Sequence, residues 1–411
     1  AVFNSNSPEV VKTEGILLST FPSDNMTSPD AHLNRSFEGN FDIFTHHIAV
    51  EREKGDLTTL YEGIIIQNPG NKPANLKILA SATYNSQPDS PFFKLPDFIN
   101  NDNGLNFAGP GDRVAQDIIR NKSRFEKRNV KIQPNETFLL MNEAIEIKTL
   151  TPPVNGRTSL FKLWSDTPVY IADLALYEKK FFFSSSKPTI SDWKNILKKG
   201  RLSEKRDKIP TPYDIPRKPG EPFIYGRVSG VAIGNTWNAK LVNNEGFFVL
   251  PAKGTNVAYV LNTVKGNTLT TGQVQSATME KRYKDTAFQA HSNYGITYEV
   301  EIPLFNDSEE QKNISISFDS PVRIGENKKQ EELSFYNNPP EKINFRGEFK
   351  LEYTEYNQHK VSFIHLVQRF GQKGQPLLSL DLQPSEGKKI TLSYIYPADA
   401  TPPHVLTLST N

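Results

Sequence analysis

Apolar positions along this chain occur in short runs, and turn-forming residues separate the runs. Residues 75–78 alternate between polar and apolar, and residues 256–260 form another short apolar run. Such runs, bounded by Gly, Pro and Asn, are typical of β-strands. The 24 Gly and 29 Pro are spread along all 411 residues instead of being confined to one tail. The pattern therefore predicts an all-β protein.

One sequence module occurs twice. It consists of a Tyr-Glu pair, an apolar run, a turn that begins with Asn and, seven positions after that Asn, a second Asn that opens an alternating strand. These positions are Tyr61, Asn68 and Asn75 in the first copy and Tyr298, Asn306 and Asn313 in the second. Repeats at matched spacing indicate related structural units. We interpret each module as a β-hairpin, because a turn cluster separates two strand patterns.

Two further motifs follow each module in the same order. A Gln-Pro pair precedes a Thr-Pro-Pro tripeptide by eighteen residues in both copies, at Gln133 and Thr151 and again at Gln383 and Thr401. We expect strands at residues 138–141 and 389–394, ended by the tripeptides. Together the matched motifs predict two related β-sandwich domains of immunoglobulin-like or jelly-roll type.

The strand pattern is interrupted between the two copies. Residues 191–199 read as a short amphipathic helix, with Ser191 as its N-cap and Gly200 after its last turn. A charged, Pro-rich stretch follows. We therefore predict an N-terminal sandwich over residues 1–186, a helix and linker over 187–222, and a C-terminal sandwich over 223–411.

Composition removes several classes of function. The net charge is +2, so no overall field attracts nucleic acid or anionic lipid, and we expect no nucleic-acid partner. The absence of Cys excludes disulfides, thiolate metal sites and cysteine nucleophiles. No apolar run approaches the roughly 20 residues of a membrane helix, so we predict no transmembrane segment.

Three segments resemble a family of secreted cyanobacterial proteins of unknown function. They are Phe3-Asn4-Ser5-Asn6-Ser7-Pro8-Glu9-Val10-Val11, Asp285-Thr286-Ala287-Phe288-Gln289-Ala290-His291-Ser292-Asn293-Tyr294-Gly295 and Tyr396-Pro397-Ala398-Asp399-Ala400-Thr401-Pro402-Pro403. The resemblance covers nearly the whole chain. It implies export to the periplasm or the cell surface, and it supplies no active-site residues.

The densest group of polar and aromatic residues lies just before the second module. It contains Arg282, Tyr283, Asp285, His291, Asn293 and Tyr294. Aromatic faces stack on sugar rings while charged and amide groups bond hydroxyls, so this group is a candidate glycan-binding site. The alternative, which we favour at this stage, is structural: Asp285 and Asn293 would hold turns, and Tyr294 would enter the core. In that alternative Arg282 would also pair with Asp285.

No catalytic or cofactor motif is present. The sequence lacks a nucleophile elbow, a phosphate loop, a dinucleotide fingerprint and a zinc-protease helix. His46 and His47 are adjacent, so on a strand they would point to opposite faces, which disfavours a shared metal. Residues 100–112 are rich in oxygen ligands but do not fit the calcium-loop template. We therefore expect no cofactor and no metal, and interpret residues 100–112 as a solvated loop.

Three functions remain open. The first is a non-enzymatic envelope or extracellular protein that acts as a scaffold or as a binding surface for polysaccharide or a surface protein. The second is a surface or matrix subunit that assembles with itself through exposed strand edges. The third is a carbohydrate-active hydrolase or lyase with a loop site near His291. The oligomeric state, the ligand and any dependence on calcium are left undetermined by the sequence.

Overall fold

A computed structural model describes most of the chain. The described residues are 1–123, 128–180, 184–215, 220–266, 268–269, 272–322, 332–355 and 358–411. Residues 216–219 of the predicted Pro-rich linker lie outside them. Everything below concerns the described residues.

The elements follow one another in chain order. The first part contains β1 Val2–Ser5, β2 Val10–Val11, β3 Gly15–Ser19, β4 Phe37–Val50, β5 Leu60–Gln67, β6 Ala74–Asn85, β7 Phe98–Asn100, α1 Pro110–Ile119, β8 Arg128–Ile132, β9 Thr137–Ile145, β10 Val154–Tyr177, β11 Lys179–Lys180, β12 Ser185–Ser186 and α2 Ile190–Lys199. The second part contains β13 Ser229–Ala232, β14 Thr236–Lys240, β15 Phe248–Val249, β16 Asn256–Asn262, β17 Ala277–Arg282, β18 Gln289–Ala290, β19 Thr297–Phe305, β20 Lys312–Asp319, β21 Ile343–Glu355, β22 Gln358–Arg369, β23 Pro376–Leu382, β24 Gly387–Ile395 and β25 His404–Thr410. Short 3₁₀ helices lie at Pro29–Ala31 and His291–Asn293. The predicted all-β fold is confirmed.

Two compact units divide the chain. The first comprises Ala1–Phe92, Gly109–Asn235 and Ala277–Ala290, and the second comprises Phe93–Ala108, Thr236–Ser276 and His291–Asn411. This division differs from the predicted boundaries, because each unit takes a segment from the other half of the sequence. Pairing of β1 with β13 and of β13 with β17 holds these later residues in the first unit.

The first unit is a sandwich whose two layers share one long strand. The N-terminal half of β10 lies between β4 and β6, and its C-terminal half lies between β3 and β5. The pairing of β10 with β4 is irregular between Ser165 and Val169, where the strand passes from one layer to the other. Apolar side chains of both layers meet in one core, which includes Ile43, Phe161, Ile64 and Ile171.

The second unit packs two separate sheets. One contains β14, β19, β24, β21, β22 and β7 in spatial order, with β15 also paired to β19, and the other contains β16, β25, β20 and β23. Its core is aromatic: the ring centroid of Phe318 lies 4.6 Å from that of Phe345 and 4.9 Å from that of Phe349. Burial of large rings supplies much of the stability of such an interior.

The duplicated module forms the same structure in both units, although it is not a hairpin. β5 pairs with β9 and β10, and β6 pairs with β8 and β10, so the two strands of the module do not pair with each other. In the second unit β19 pairs with β24 while β20 pairs with β23 and β25. Each module therefore connects a strand of one layer to a strand of the facing layer, which we call an arch. The predicted hairpins are wrong.

A buried asparagine explains the arch. The Asn68 amide nitrogen donates to the carbonyl oxygens of Lys72 and Ile132, at 2.7 and 3.0 Å, and its side-chain oxygen accepts from the Gly70 backbone N–H. These bonds satisfy backbone groups that a hairpin would pair across its own strands. The turn can then leave its sheet and enter the facing one.

Asn306 makes the equivalent set of bonds in the second unit. Its amide nitrogen donates to the carbonyl oxygens of Glu310 and Leu382, and its side-chain oxygen accepts from the Ser308 backbone N–H. Both asparagines are fully buried. The repeat predicted from spacing is therefore confirmed at the level of individual hydrogen bonds. The Thr-Pro-Pro tripeptides, however, precede β10 and β25 and do not end the strands before them.

Helix α2 and the stretch after it pack onto the first unit. Thr189, not Ser191, is the N-cap, and it forms a capping box with Asp192. Trp193 is fully buried against Gly63, where a Cβ would lie only 2.5 Å from the indole. Farther along the chain, Leu202 forms an isolated parallel β-bridge with Ile16. The described part of residues 187–222 is thus integrated into the first unit instead of linking two domains.

Helix α1 was not predicted. It begins at Pro110, preceded by Gly109 with φ +88°. The oxygen-rich stretch before it includes Asn101, which is buried and donates to the Glu348 carboxylate at 2.6 Å. The interpretation of residues 100–112 as one solvated loop is therefore wrong.

We expect Asn68→Ala and Asn306→Ala each to destabilise their own unit by about 2–4 kcal/mol, because at least three hydrogen bonds are lost in each and buried backbone groups lose their partners. Urea unfolding measures this difference. The exposed residues Asn71 and Asp307 in the same two turns provide matched alanine controls, which should stay within about 0.5 kcal/mol of the natural protein. Equal stability of Asn68→Ala and Asn71→Ala would contradict this account of the arch.

His404 predicts acid sensitivity of the second unit. Its ring is fully buried between neutral partners, the Tyr396 hydroxyl at 2.8 Å and the Asn344 amide at 3.3 Å, and burial lowers its pKa to about 3. Below pH 6.5 the unfolded chain binds a proton that the folded ring does not bind. Stability should therefore fall by up to about 1.4 kcal/mol per pH unit from this group as the pH decreases toward 3.

The test is urea unfolding of the natural protein and of His404→Gln between pH 7 and pH 4. The slope of unfolding free energy against pH should be shallower in the variant, even though the variant is less stable overall. His359→Gln, at an exposed histidine of β22, is the control and should keep the natural slope. If stability falls as steeply with pH in His404→Gln as in the natural protein, His404 is not the source of the pH dependence.

Candidate functional site

The six residues predicted as a ligand site are divided between the two units. Arg282, Tyr283 and Asp285 belong to the first unit, and His291, Asn293 and Tyr294 belong to the second.

Arg282 organises a turn and carries an aromatic ring. Its guanidinium donates to the carbonyl oxygens of Tyr283 and Thr286, at 2.8 and 2.6 Å. Its Cζ lies 3.8 Å from the centroid of the Phe288 ring, a cation–π contact. Burial lowers the pKa of Arg282 somewhat.

Tyr283 and Asp285 have structural partners. The Tyr283 hydroxyl accepts from the Ser19 backbone N–H at 3.0 Å and donates to the Ala31 carbonyl at 2.8 Å, and the whole side chain is buried. Burial raises its pKa well above the ordinary value. The ion-pair partner of Asp285 is Arg206, with an Nε–Oδ2 distance of 2.8 Å. The alternative interpretation expected Asp285 to pair with Arg282, whereas its ion-pair partner is Arg206.

The three residues of the second unit lie around a short 3₁₀ helix. Asn293 adopts a positive φ of 50° and donates to the Tyr298 hydroxyl at 2.7 Å. The Tyr294 hydroxyl donates to the Ala400 carbonyl, and its ring stacks on Tyr396 with centroids 6.2 Å apart. His291 is partly exposed at the start of the helix.

Half-exposed aromatic rings surround Arg282. Tyr213 stacks on Phe223 with centroids 5.6 Å apart and lies 5.2 Å from Phe288, while Tyr225 meets Phe223 edge-on at 4.7 Å. All four rings are partly exposed. We call Tyr213, Phe223, Tyr225, Phe288 and Arg282 the aromatic patch. Only Arg282 of these five was in the predicted site. Phe288 lies within the same stretch of sequence but was not chosen, and Tyr213, Phe223 and Tyr225 come from a segment more than fifty residues earlier.

The aromatic patch combines flat apolar faces with polar edges. Burial raises the pKa of the Tyr213 hydroxyl to about 12, so it is neutral at physiological pH. Arg282 supplies a fixed positive charge above Phe288. The Tyr213 hydroxyl is buried and does not reach a ligand, but partly exposed aromatic residues beside a guanidinium can stack on a sugar ring while the charged group bonds its hydroxyls.

Two clefts of the second unit are lined by other residues. One, of about 560 Å³, includes Asp319 and Thr407, and the other, of about 510 Å³, includes Asp381 and Lys388. The Asp319 carboxylate accepts from the Thr407 hydroxyl and the Gly374 backbone N–H. Burial raises the pKa of Asp319. His291 lines neither cleft.

A second polar cluster lies inside the first unit. His47 on β4, Glu62 on β5 and Asp173 on β10 are fully buried, and one ligand atom from each lies within 4.8 Å of the others. The imidazole Nε2 is 3.1 Å from Asp173 Oδ2 and 3.1 Å from Ser5 Oγ. His46 points to the other face of the strand, where it contacts Thr158, as the alternation predicted.

Electrostatics in this cluster follow from burial. Burial and the neighbouring Asp173 raise the pKa of Glu62 to about 7. Burial opposes protonation of His47, but the hydrogen bond and charge of Asp173 outweigh it, so the His47 pKa is raised. Sequence reasoning missed the cluster because its members are separated by up to 126 residues.

These observations define an all-β protein with a sandwich in each of two units and no helix, in the described part of the chain, that is long and apolar enough to cross a bilayer. The family described as "Protein of unknown function (DUF3370)" matches residues 1–410, and the chain belongs to it. This agrees with the expected family of unknown function. No curated protein matches the chain significantly.

Two solved structures show only faint likeness. The tandem CBM22-1–CBM22-2 domain of Paenibacillus barcinonensis Xyn10C has 10% identity and a TM-score of 0.16, over 86% of this chain and 79% of that one. Lac15 from a marine microbial metagenome has 9% identity and a TM-score of 0.12, over 88% of this chain and 50% of that one. Both TM-scores are too low to carry an argument.

Tyr283→Phe separates a structural role of this residue from a binding role. The variant leaves the Ser19 N–H and the Ala31 carbonyl without the Tyr283 hydroxyl as a partner, so it should destabilise the first unit by about 1–3 kcal/mol. The affinity of the protein for a glycan should stay unchanged. Thermal unfolding and a binding titration measure the two effects. Full stability combined with weakened binding would assign Tyr283 to a ligand site instead.

Proposed function

We propose that this protein is a non-enzymatic component of the cell envelope or extracellular space that binds polysaccharide through the aromatic patch. The observation that carries the proposal is the arrangement of Tyr213, Phe223 and Tyr225, three partly exposed residues whose rings adjoin one another near Arg282. Location outside the cytoplasm is part of the proposal and rests on the sequence resemblance to secreted proteins.

The exposure of the rings supports recognition instead of core packing alone. The largest rings of the cores, such as Phe318, Phe345 and Phe161, are fully buried, whereas the four aromatic residues of the aromatic patch are partly exposed. Clustered apolar surface with polar margins is typical of sites that bind another molecule. Sugar rings offer C–H faces that match such rings, together with hydroxyls that match Arg282.

The turn around Arg282 prepares the patch for binding. Because the guanidinium already bonds the carbonyls of Tyr283 and Thr286, the position of the charge above Phe288 is set before a ligand arrives. Groups that need no ordering lose less entropy on association.

The expected result is binding of the full-length protein to at least one envelope or extracellular polysaccharide, measured by affinity electrophoresis and calorimetry. Tyr225→Ala should weaken the affinity about 5- to 10-fold, since removal of one stacking ring costs roughly 1 kcal/mol. Tyr259→Ala is the matched control, because it removes a partly exposed ring outside the patch. Thermal unfolding checks that both variants are folded.

Each other outcome has a defined meaning. Failure to bind any envelope polysaccharide would remove the proposal, and equal weakening by both variants would remove the patch as the site. Release of shortened sugars would favour the hydrolase or lyase alternative near His291. Concentration-dependent assembly in light scattering, without polysaccharide binding, would favour the self-assembling subunit.

A further inference from the structure

The buried cluster in the first unit has more carboxylate oxygens than hydrogen-bond donors. Glu62 Oε1 accepts from the Thr45 hydroxyl at 2.5 Å, and Asp173 Oδ2 faces His47. Glu62 Oε2 and Asp173 Oδ1 are also buried, and none of the described residues donates a hydrogen bond to them. A buried carboxylate oxygen without a partner is strongly unfavourable, so these two oxygens leave room for a further positive group in the cluster.

The orientation of His47 is suited to a metal ligand. Its Nδ1 lies 2.9 Å from the Pro8 carbonyl oxygen, which can only accept a hydrogen bond, so Nδ1 carries a proton. Nε2 therefore faces Asp173 and Ser5. Metal-binding histidines commonly donate their other ring N–H to a carbonyl or carboxylate in this way.

The distances fit the ligands of one small ion. Two ligands about 2.1 Å from a metal lie about 3.0 Å apart at a right angle and about 3.4 Å apart at a tetrahedral angle. Both Nε2–Asp173 Oδ2 and Nε2–Ser5 Oγ measure 3.1 Å. The three ligand atoms of His47, Glu62 and Asp173 lie within 4.8 Å of one another, which requires only small side-chain adjustments to surround an ion.

Charge balance also fits a divalent ion. Binding of an ion at Nε2 displaces the proton from that nitrogen and leaves a neutral imidazole. The two carboxylates of Glu62 and Asp173 then carry −2 and the Ser5 hydroxyl adds nothing, so one M²⁺ makes the four-residue cluster neutral. One imidazole together with carboxylate oxygens suits zinc, manganese and similar ions better than Mg²⁺ or Ca²⁺, which bind through oxygen alone.

We propose that Ser5, His47, Glu62 and Asp173 form a buried site for one divalent transition-metal ion. The ligands come from β1, β4, β5 and β10, so the ion cross-links both layers of the first sandwich. The site is independent of the aromatic patch and of polysaccharide binding.

The primary experiment uses untagged full-length protein, purified without chelator and desalted. Elemental analysis should find about one equivalent of zinc or manganese per chain. After treatment with chelator, addition of Zn²⁺ or Mn²⁺ should raise the melting temperature, whereas Mg²⁺ should not. Co²⁺ loaded in the same way should give visible absorption bands of a nitrogen- and oxygen-ligated ion.

Isosteric variants locate the site. Glu62→Gln and Asp173→Asn should each lower the affinity for Zn²⁺ by more than about 100-fold, since loss of a ligand exceeds the roughly 10- to 100-fold effect of losing its outer partner. Asp42→Asn is the matched control: Asp42 is a buried carboxylate of β4 that is already bonded to Lys162 and Asn235. It should keep one ion.

Several results would overturn the proposal. One is the absence of stoichiometric metal together with a melting temperature that does not respond to Zn²⁺ or Mn²⁺. Another is binding that survives in Glu62→Gln, which would place the ion elsewhere. If the variants do not fold, X-ray absorption on the natural protein decides, because an ion bound only by oxygens, without an imidazole nitrogen, excludes this site.

Discussion

The amide group of one buried asparagine in each unit determines how the chain passes from one sheet to the other. Asn68 and Asn306 each bond the turn that they begin and a carbonyl from a distant strand, so a local bend and a long-range contact are made by the same side chain. The two layers of each sandwich can face each other only if the chain leaves the first sheet at this point. The pairing of β6 with β8, and of β20 with β23, depends on that geometry.

Sequence patterns predicted the positions of the strands better than they predicted which strands pair. Matched spacing identified the repeat, and strands at residues 138–141, 256–260 and 389–394 lie where they were expected. The hairpin interpretation failed because a turn signal does not reveal which strand lies beside the next one. Helix α1 was missed because its oxygen-rich approach resembles a loop, and its start depends on Gly109, whose positive φ is not visible in the sequence.

The predicted ligand residues show a related limit. Local density of polar and aromatic residues identified Arg282, but the rings beside it come from positions 213, 223, 225 and 288. Tyr283 and Asp285, which were candidate ligand-binding residues, have partners at Ser19 and Arg206 that only folding brings near. The cluster around His47 could not be predicted, because its carboxylates lie on other strands and ordinary acidic residues are common throughout the chain.

The long strand β10 has a consequence for mechanical behaviour. The first part of its 24 residues belongs to one layer and the second part to the other, so the two layers cannot separate while β10 stays paired in both. A pulling force on the first unit would have to shear hydrogen bonds along both halves of β10 together. Because one continuous strand belongs to both layers, we expect the two layers to open together as one cooperative unit.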